Sequence, residues 1–304
     1  MFAPKIKNRK YLVMKRFIVF TLLLSIFAGL KMEAQNPPST DIYVFDLKEV
    51  KRRVKITKPW NISNREGYDN QPYFRNANEI FFTASQADGQ TDIIHYNLVD
   101  STAKNVTNTP KTSEYSAHML SRSKSFVVVR VEEDGKQRLW QFPIDGKESP
   151  KLMFEELEPV GYHAWASTEV AMFILGDPNS LMLSSTKVRN DRKLEENIGR
   201  TLKTRGRNFL FSKKTEKGNQ EIFMIAGRGD KVRRMTVTPR DANDWAVTPQ
   251  GTYLASVGGK IWKINPEFDS AWSEILDLKD LGIENITRIA VSPDNTKLAL
   301  VVDR

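Results

Sequence analysis

The sequence predicts an all-β fold, a six-bladed β-propeller whose N-terminal strands close the last blade. Three observations predict it. Short apolar runs rich in β-branched and aromatic residues recur about every 42 residues along the 304-residue chain. Each later run follows a second apolar run across a Gly-containing turn. The chain beyond residue 40 opens on a lone strand and closes on a hairpin that lacks one. Short strands at this spacing, with few helical stretches, are the signature of a radial repeat.

The runs are "DIYVFDL" from Asp41, "DIIHYNL" from Asp92, "RLWQFPI" from Arg138, "SLMLSST" from Ser180, "EIFMIAG" from Glu221 and "KIWKINP" from Lys260. Their anchors Ile93, Leu139, Leu181, Ile222 and Ile261 lie 46, 42, 41 and 39 residues apart. The preceding strands are "EIFFTAS", "SFVVVRV", "EVAMFIL", "NFLFSKK" and "TYLASV". Asp88–Gly89, Asp134–Gly135, Gly218–Asn219 and Gly258–Gly259 supply the positive φ that hairpin turns need. One more short strand opens each unit: "QPYF", "AHML", "HAWA", "RTLK", "WAVTP" and "IAVSP". A lone four-stranded blade leaves two apolar faces bare, and radial stacking buries both. Joining "LALVVDR" at the end to "DIYVFDL" at the start makes the hairpin every other unit contains. That gives five whole blades and one composite blade.

Residues 17–30, "FIVFTLLLSIFAGL", follow Lys15 and Arg16 and precede Glu33–Ala34–Gln35. A basic start, a short apolar stretch and a small residue describe an export leader, expected to be cut after Ala34. An uncleaved anchor is the competing reading, although the stretch is short of the roughly 20 residues a span needs. Residues 1–34 are thus expected to be a signal peptide and residues 35–304 a single propeller domain, exported to the periplasm and associated with the outer membrane. The net charge of +9 falls to +3 without that leader, which removes the main support for nucleic-acid binding. Residues 187–240 still hold sixteen Lys/Arg against six Asp/Glu. This basic sector (Lys203, Arg205, Arg207, Arg233, Arg234) would suit an acidic partner or an anionic envelope polymer; a solvated face is the plainer alternative. The chain has no Cys, hence no thiolate nucleophile and no Cys-ligated metal.

"VSPDNTKLALVVDR", "DIYVFDL", "VTPQGTYLAS" and "NVTNTP" resemble the repeat of the TolB-like six-bladed propellers. The likeness runs over the mature chain, and it weakens in the units from His163 and Arg200, where the Ser-Pro-Asp-Gly turn is missing. The α/β domain that precedes the propeller in TolB itself is not expected here. The resemblance implies an envelope protein, of Bacteroidetes type, that binds other proteins of an outer-membrane or secretion assembly and is monomeric on its own. It carries over no catalytic residue. Prolyl-oligopeptidase-type hydrolases share the propeller, but no Gly-x-Ser-x-Gly elbow is present. Asp269–Ser270–Ala271 resembles the O-glycosylation triplet of Bacteroidetes envelope proteins.

No phosphate loop, HExxH or EF-hand motif occurs, and Gly227–Arg228–Gly229–Asp230 reads as a turn. The Asn-x-Ser/Thr triplets at Asn61, Asn105 and Asn285 read as strand-end chemistry. His118 and His163 fall at matching first-strand positions, where the other units place Pro72, Arg200, Trp245 and Ile289. Some TolB-like lyases use channel histidines with a metal, yet two ligands are fewer than the three or four zinc takes. No metal or cofactor is therefore expected, and His95 is expected to be structural. Tyr68, Asp69, Asn70, Tyr115, Tyr162, Asp244, Trp245 and Arg288 sit in or beside the loops entering the first strands. Together with His118, His163 and Arg200 they form the candidate partner-binding surface at the channel mouth. Packing of these aromatics between blades is the alternative. The runner-up function is a lyase or hydrolase acting on an anionic glycan with His118, His163 and Arg200; a sensor domain for a small ligand is the third.

Overall fold

The computed structural model describes residues 38–121, 123–225 and 231–304. The expected leader and the turn at 227–230 lie outside the described residues. β1 (Thr40–Val50) and β2 (Arg53–Asn61) come first. Blade 1 is β3 (Asp69–Asn76), β4 (Glu79–Ser85), β5 (Thr91–Asn97) and β6 (Thr102–Asn105). Blade 2 is β7 (Ser113–Met119), β8 (Ser125–Val131), β9 (Gln137–Pro143) and β10 (Lys151–Leu152). Blade 3 is β11 (Val160–Ala166), β12 (Glu169–Ile174), β13 (Ser180–Ser185) and β14 (Arg192–Glu196). Blade 4 is β15 (Leu202–Arg205), β16 (Asn208–Lys214), β17 (Gln220–Ile225) and β18 (Val232–Val237). Blade 5 is β19 (Asp244–Val247), β20 (Tyr253–Val257), β21 (Lys260–Ile264) and β22 (Ser273–Asp277). Blade 6 takes β23 (Ile286–Val291) and β24 (Lys297–Asp303) and borrows β1 and β2, in the order β2-β1-β24-β23.

The six sheets contact one another in sequence, and blade 6 returns to blade 1, so the fold is a closed six-bladed propeller. Closure is by the joint read from the sequence. β1 runs antiparallel to β24, with Asp41 opposite Val302 and Phe45 opposite Leu298. Glu49 locks the joint from the far end: its carboxylate accepts from Asn295 Nδ2 at 2.8 Å and from the Thr252 hydroxyl of blade 5.

The apolar runs are uninterrupted because each inner strand is buried on both faces. Six apolar clusters result, one at each junction. In blade 6, Phe45, Leu47, Leu298 and Leu300 pack toward blade 5. Ile42, Val44, Ala299 and Val301, on the alternate positions, pack toward blade 1. The outermost strands are polar because one edge meets water; they run from two residues in β10 to nine in β2. Gly89, Gly135 and Gly218 hold φ of 84°, 85° and 83° in the hairpin turns, as the Gly placement predicts.

The Asn-x-Ser/Thr triplets cap strand ends. Asn61 and Asn105 donate to Asp41 and Asp92 at 2.9 and 2.7 Å, and Ser63 and Thr107 donate to the same two carboxylates. One bracket therefore ties the third strand to the end of the fourth in blades 6 and 1. No helix among the described residues is long and apolar enough to cross a membrane.

Candidate functional site: the central channel

The innermost strands β3, β7, β11, β15, β19 and β23 enclose a cavity of about 680 Å³. That is the size of a small-ligand or peptide cleft. Counting each first strand against the third-strand anchors puts Asn70, Tyr115, Tyr162, Thr201, Asp244 and Arg288 on one level. Two residues further along lie Tyr73, His118, Ala164, Lys203, Ala246 and Ala290. Three alanines on the second level leave room beside Lys203.

The first level is spanned by a bar. Arg288 Nη2 of blade 6 donates to the Tyr162 hydroxyl of blade 3 at 2.9 Å, and its guanidinium carbon lies 4.9 Å from the ring centre. Blades 3 and 6 are opposite in a six-membered ring, so this contact crosses the channel. Burial works against the charge of Arg288, but the Tyr162 hydroxyl and Asp244 hold its pKa above the ordinary arginine value. Tyr68, half-buried, has Arg288, Tyr162, Tyr115 and Arg200 as its charged and phenolic neighbours; burial pushes its pKa up to about 12. Three tyrosines and two arginines from the sequence-derived set therefore gather at this end.

Blade 4 reaches the same space. Lys203 Nζ donates to the Ile289 carbonyl of blade 6 at 3.0 Å, and Arg200 Nη2 donates to the Thr287 carbonyl at 3.0 Å. Burial pulls the Lys203 pKa down while Asp244 pulls it up, and the net shift is downward. The one carboxylate on this level is already used. Asp244 accepts from Thr201 Oγ1 at 2.5 Å and from the Ile289 amide at 2.9 Å, which staples blades 4, 5 and 6 together.

The histidines are not at matching positions. His118 lies opposite Val127 and His163 opposite Met172, one step apart when counted from the anchors. A β-bulge causes the offset: Ser116 takes φ of +56°, and the ladder skips a residue between Tyr115 and His118. Gln71 takes φ of +56° in blade 1 and accepts from the Ser116 amide at 2.7 Å, so the two bulges brace each other. The bulge puts His118 on the channel wall, where its ring centre lies 4.4 Å from that of Tyr73 of blade 1 and 6.2 Å from that of His163 of blade 3. His163 is 9% exposed, and its Nδ1 accepts from Trp165 Nε1 at 2.8 Å. That bond leaves the proton on Nε2, which has no well-formed partner. Burial lowers the pKa of His118 to about 3, helped by His163, and that of His163 to about 4. Both rings are neutral at physiological pH. Among the described residues no three His, Cys, Asp or Glu side chains converge to hold a metal ion. His95 stacks on Phe81 at 4.6 Å, a packing role.

Several sequence-derived candidates sit elsewhere. Trp245 is 0% exposed and packs in the blade 4–5 core, so it presents nothing at the mouth. Arg200 precedes its strand, and Leu202 takes the level of His163. Asn70 is buried, its carbonyl oxygen accepting from the Gln71 amide. The basic sector is divided rather than continuous. Lys203 and Arg205 are on the innermost strand of blade 4, Arg207 is on the adjoining hairpin, and Arg233 and Arg234 are on the outermost strand, roughly 14 Å away at three strand spacings. Arg234 is paired with Glu221 at 2.9 Å. The channel-facing places of Gln71 and Tyr73 depend on a bulge in β3 that has no mark in the repeat, and that of Lys203 follows from the regular register of β15.

Asp69 is fully buried, with Oδ1 2.6 Å from Arg65 Nη2 and Oδ2 unpaired. Burial raises its pKa to about 6 against the pull of Arg65. Between the ordinary 3.8 and 6, the native state binds the extra proton, so this group's contribution to stability falls as pH rises through that window. Asp69→Asn is expected to raise stability at pH 7.5 by about 2 kcal/mol and to add nothing at pH 4. Urea melts at the two pH values test it; a gain that does not depend on pH refutes the assignment.

No protein-family model and no curated protein sequence matches the chain. Solved structures do. A TolB-type protein from Agrobacterium tumefaciens superimposes with a TM-score of 0.66 at 14% identity, over 88% of this chain and 99% of that one. The fold is that of the TolB-type propellers. TolB from Acinetobacter baumannii gives 0.55 at 11% identity, over 94% of this chain and 68% of that one. An oligogalacturonate lyase solved with manganese gives 0.57 at 11% identity, over 82% of each chain.

Proposed function

We propose that the chain is an exported, non-enzymatic propeller that holds a protein partner of the cell envelope at one end of its channel. The observation that carries this reading is the grouping of Tyr68, Tyr115, Tyr162, Arg200 and Arg288 within electrostatic reach of one another at one level of the channel, with Tyr115 and Tyr162 also packing against the blade 2–3 and blade 3–4 cores. Tyr and Arg are the residues that concentrate binding energy at protein interfaces. The apolar run with basic flanks near the N-terminus supports export, and the likeness to TolB-type folds supports the envelope as the place of action. Replacing Tyr68, Tyr115 and Tyr162 together by Ser is expected to abolish co-purification of a stoichiometric partner from the native envelope. The triple change to Phe, which keeps the core packing of Tyr115 and Tyr162, is expected to weaken it with the melting temperature kept within a few degrees. Undiminished co-purification refutes the reading.

The likeness to an oligogalacturonate lyase fold supports a second reading, cleavage of an anionic glycan in the channel. The side chains fit it poorly, because the two histidines have no third ligand among the described residues and Arg200 is bonded to a backbone carbonyl. Release of unsaturated uronate by the purified protein, with a stoichiometric metal, would establish it.

A further inference from the structure

We propose that the channel binds the carboxylates of an acidic peptide segment, with Lys203 and Arg288 as anchors and the Arg288–Tyr162 bar as the gate that the peptide opens. This rests on the partner-binding reading above and specifies the chemistry of what enters. The channel wall is unbalanced in charge. Arg200, Lys203, Arg205 and Arg288 line it, and the lining carboxylate is Asp244 alone among the described residues. Asp244 keeps its single negative charge while bonded to Thr201 and the Ile289 amide, and one charge offsets only one of the three cations, Arg200, Lys203 and Arg288, around it.

The free hydrogen-bonding capacity of the cations is also one-sided. An ammonium offers three donors, and Lys203 Nζ makes one bond, to a carbonyl. A guanidinium offers five, and Arg288 spends one on Tyr162. His163 adds an N–H at Nε2 that is buried beside the same cavity without a well-formed partner. Gln71 Oε1 already takes the Ser116 amide and hydroxyl at 2.7 and 3.0 Å. Most other polar lining groups are hydroxyls, such as Tyr73, Ser167, Thr204 and Thr248, which donate and accept alike. The preference for carboxylates therefore comes from charge: the lining cations outnumber the one lining carboxylate, and their spare N–H groups only donate. A neutral sugar hydroxyl brings no charge to meet them.

The room and the route fit the same occupant. Ala164, Ala246 and Ala290 leave the space beside Lys203 empty of side chains, within the 680 Å³ cavity. Entry from the tyrosine-rich end meets the bar. The bar is one hydrogen bond from a guanidinium to a neutral phenol, backed by the guanidinium's contact with the same ring. A carboxylate makes a stronger, bidentate bond to the same group. An incoming acidic side chain can therefore take Arg288 from Tyr162 and open the channel as it binds.

The test uses the whole protein and a fluorescein-labelled hexaglutamate peptide, with hexaglutamine and hexagalacturonate as comparisons, followed by fluorescence anisotropy and calorimetry. Hexaglutamate is expected to bind, with affinity falling as salt rises, and hexaglutamine is not. Lys203→Met keeps the aliphatic stem and is expected to weaken hexaglutamate binding by about tenfold or more, while Lys203→Arg restores it. Tyr162→Phe removes the bar's hydrogen bond and is expected to tighten binding by a few-fold; weaker binding refutes the gate. Equal affinity for hexaglutamate and hexaglutamine, or an unchanged affinity in Lys203→Met with a native melt, overturns the site. Tighter binding of hexagalacturonate overturns the peptide in favour of a glycan. The two readings fail separately: partner co-purification that survives the triple tyrosine change refutes the mouth, and Lys203-independent peptide binding refutes the anion site alone.

Discussion

Replacing Ile42 and Phe45 together by Ala is expected to unfold the propeller at room temperature. Both lie on β1, and both are at most 2% exposed. They face opposite ways, Ile42 into the junction with blade 1 and Phe45 into the junction with blade 5. Each truncation removes apolar surface and leaves a cavity, at about 2–5 kcal/mol for Ile and 3–5 kcal/mol for Phe. The two sites share no cluster, so the losses should add. Their sum, about 5–10 kcal/mol, is comparable with the whole stability of a typical domain, about 5–15 kcal/mol. Urea titration followed by tryptophan fluorescence measures it. A combined loss under about 2 kcal/mol would mean that β1 is not what holds the ring shut.

Acid should loosen the structure before its carboxylates titrate. His118 and His163 have native pKa values of about 3 and 4 against an ordinary 6.5. Their folded values are lowered, so below 6.5 the unfolded chain takes up protons that the native rings refuse. The contribution of the pair is complete above pH 6.5 and is lost as pH falls from there toward 3. For His163 alone the shift corresponds to about 3 kcal/mol, and His118, whose pKa is lowered further, adds a share at least as large. A steep fall in melting temperature between pH 6.5 and 4.5 is expected. The double change His118→Asn and His163→Gln should flatten it, since neither amide titrates and Gln can still accept from Trp165. An equal slope in both proteins refutes the assignment. Asp69, with its pKa raised, acts in the opposite sense over the same interval, so the variants should be compared in the Asp69→Asn background.

The ring and its joint were legible because burial on both faces writes itself as continuous apolar runs, and Asp-Gly or Gly-Gly marks each hairpin. The level of each first-strand side chain was not. One inserted residue at Ser116 reverses the parity of everything after it in β7. His118 and His163 look equivalent in the repeat but meet instead as neighbours across a junction. Trp245 looked like a surface anchor because it stands beside Asp244 at a strand entrance; size and complete burial make it a core residue. The basic sector looked continuous because sequence distance hides the width of a blade. Lys203 and Arg205, two members of that sector, line the channel, and Lys203 reaches across it to blade 6.

The composite blade also sets the order in which the molecule can form. Lys297 Nζ meets Asp46 Oδ1 across 251 residues of chain. On a ribosome, β1 can pair at once with β2, but its other edge must wait while five blades are synthesised, because β24 follows them in the chain. Contacts so distant in sequence make for slow folding, and an exposed apolar strand in the meantime is an invitation to aggregate. Maturation of this protein should therefore depend on a holding chaperone until the final blade is translated.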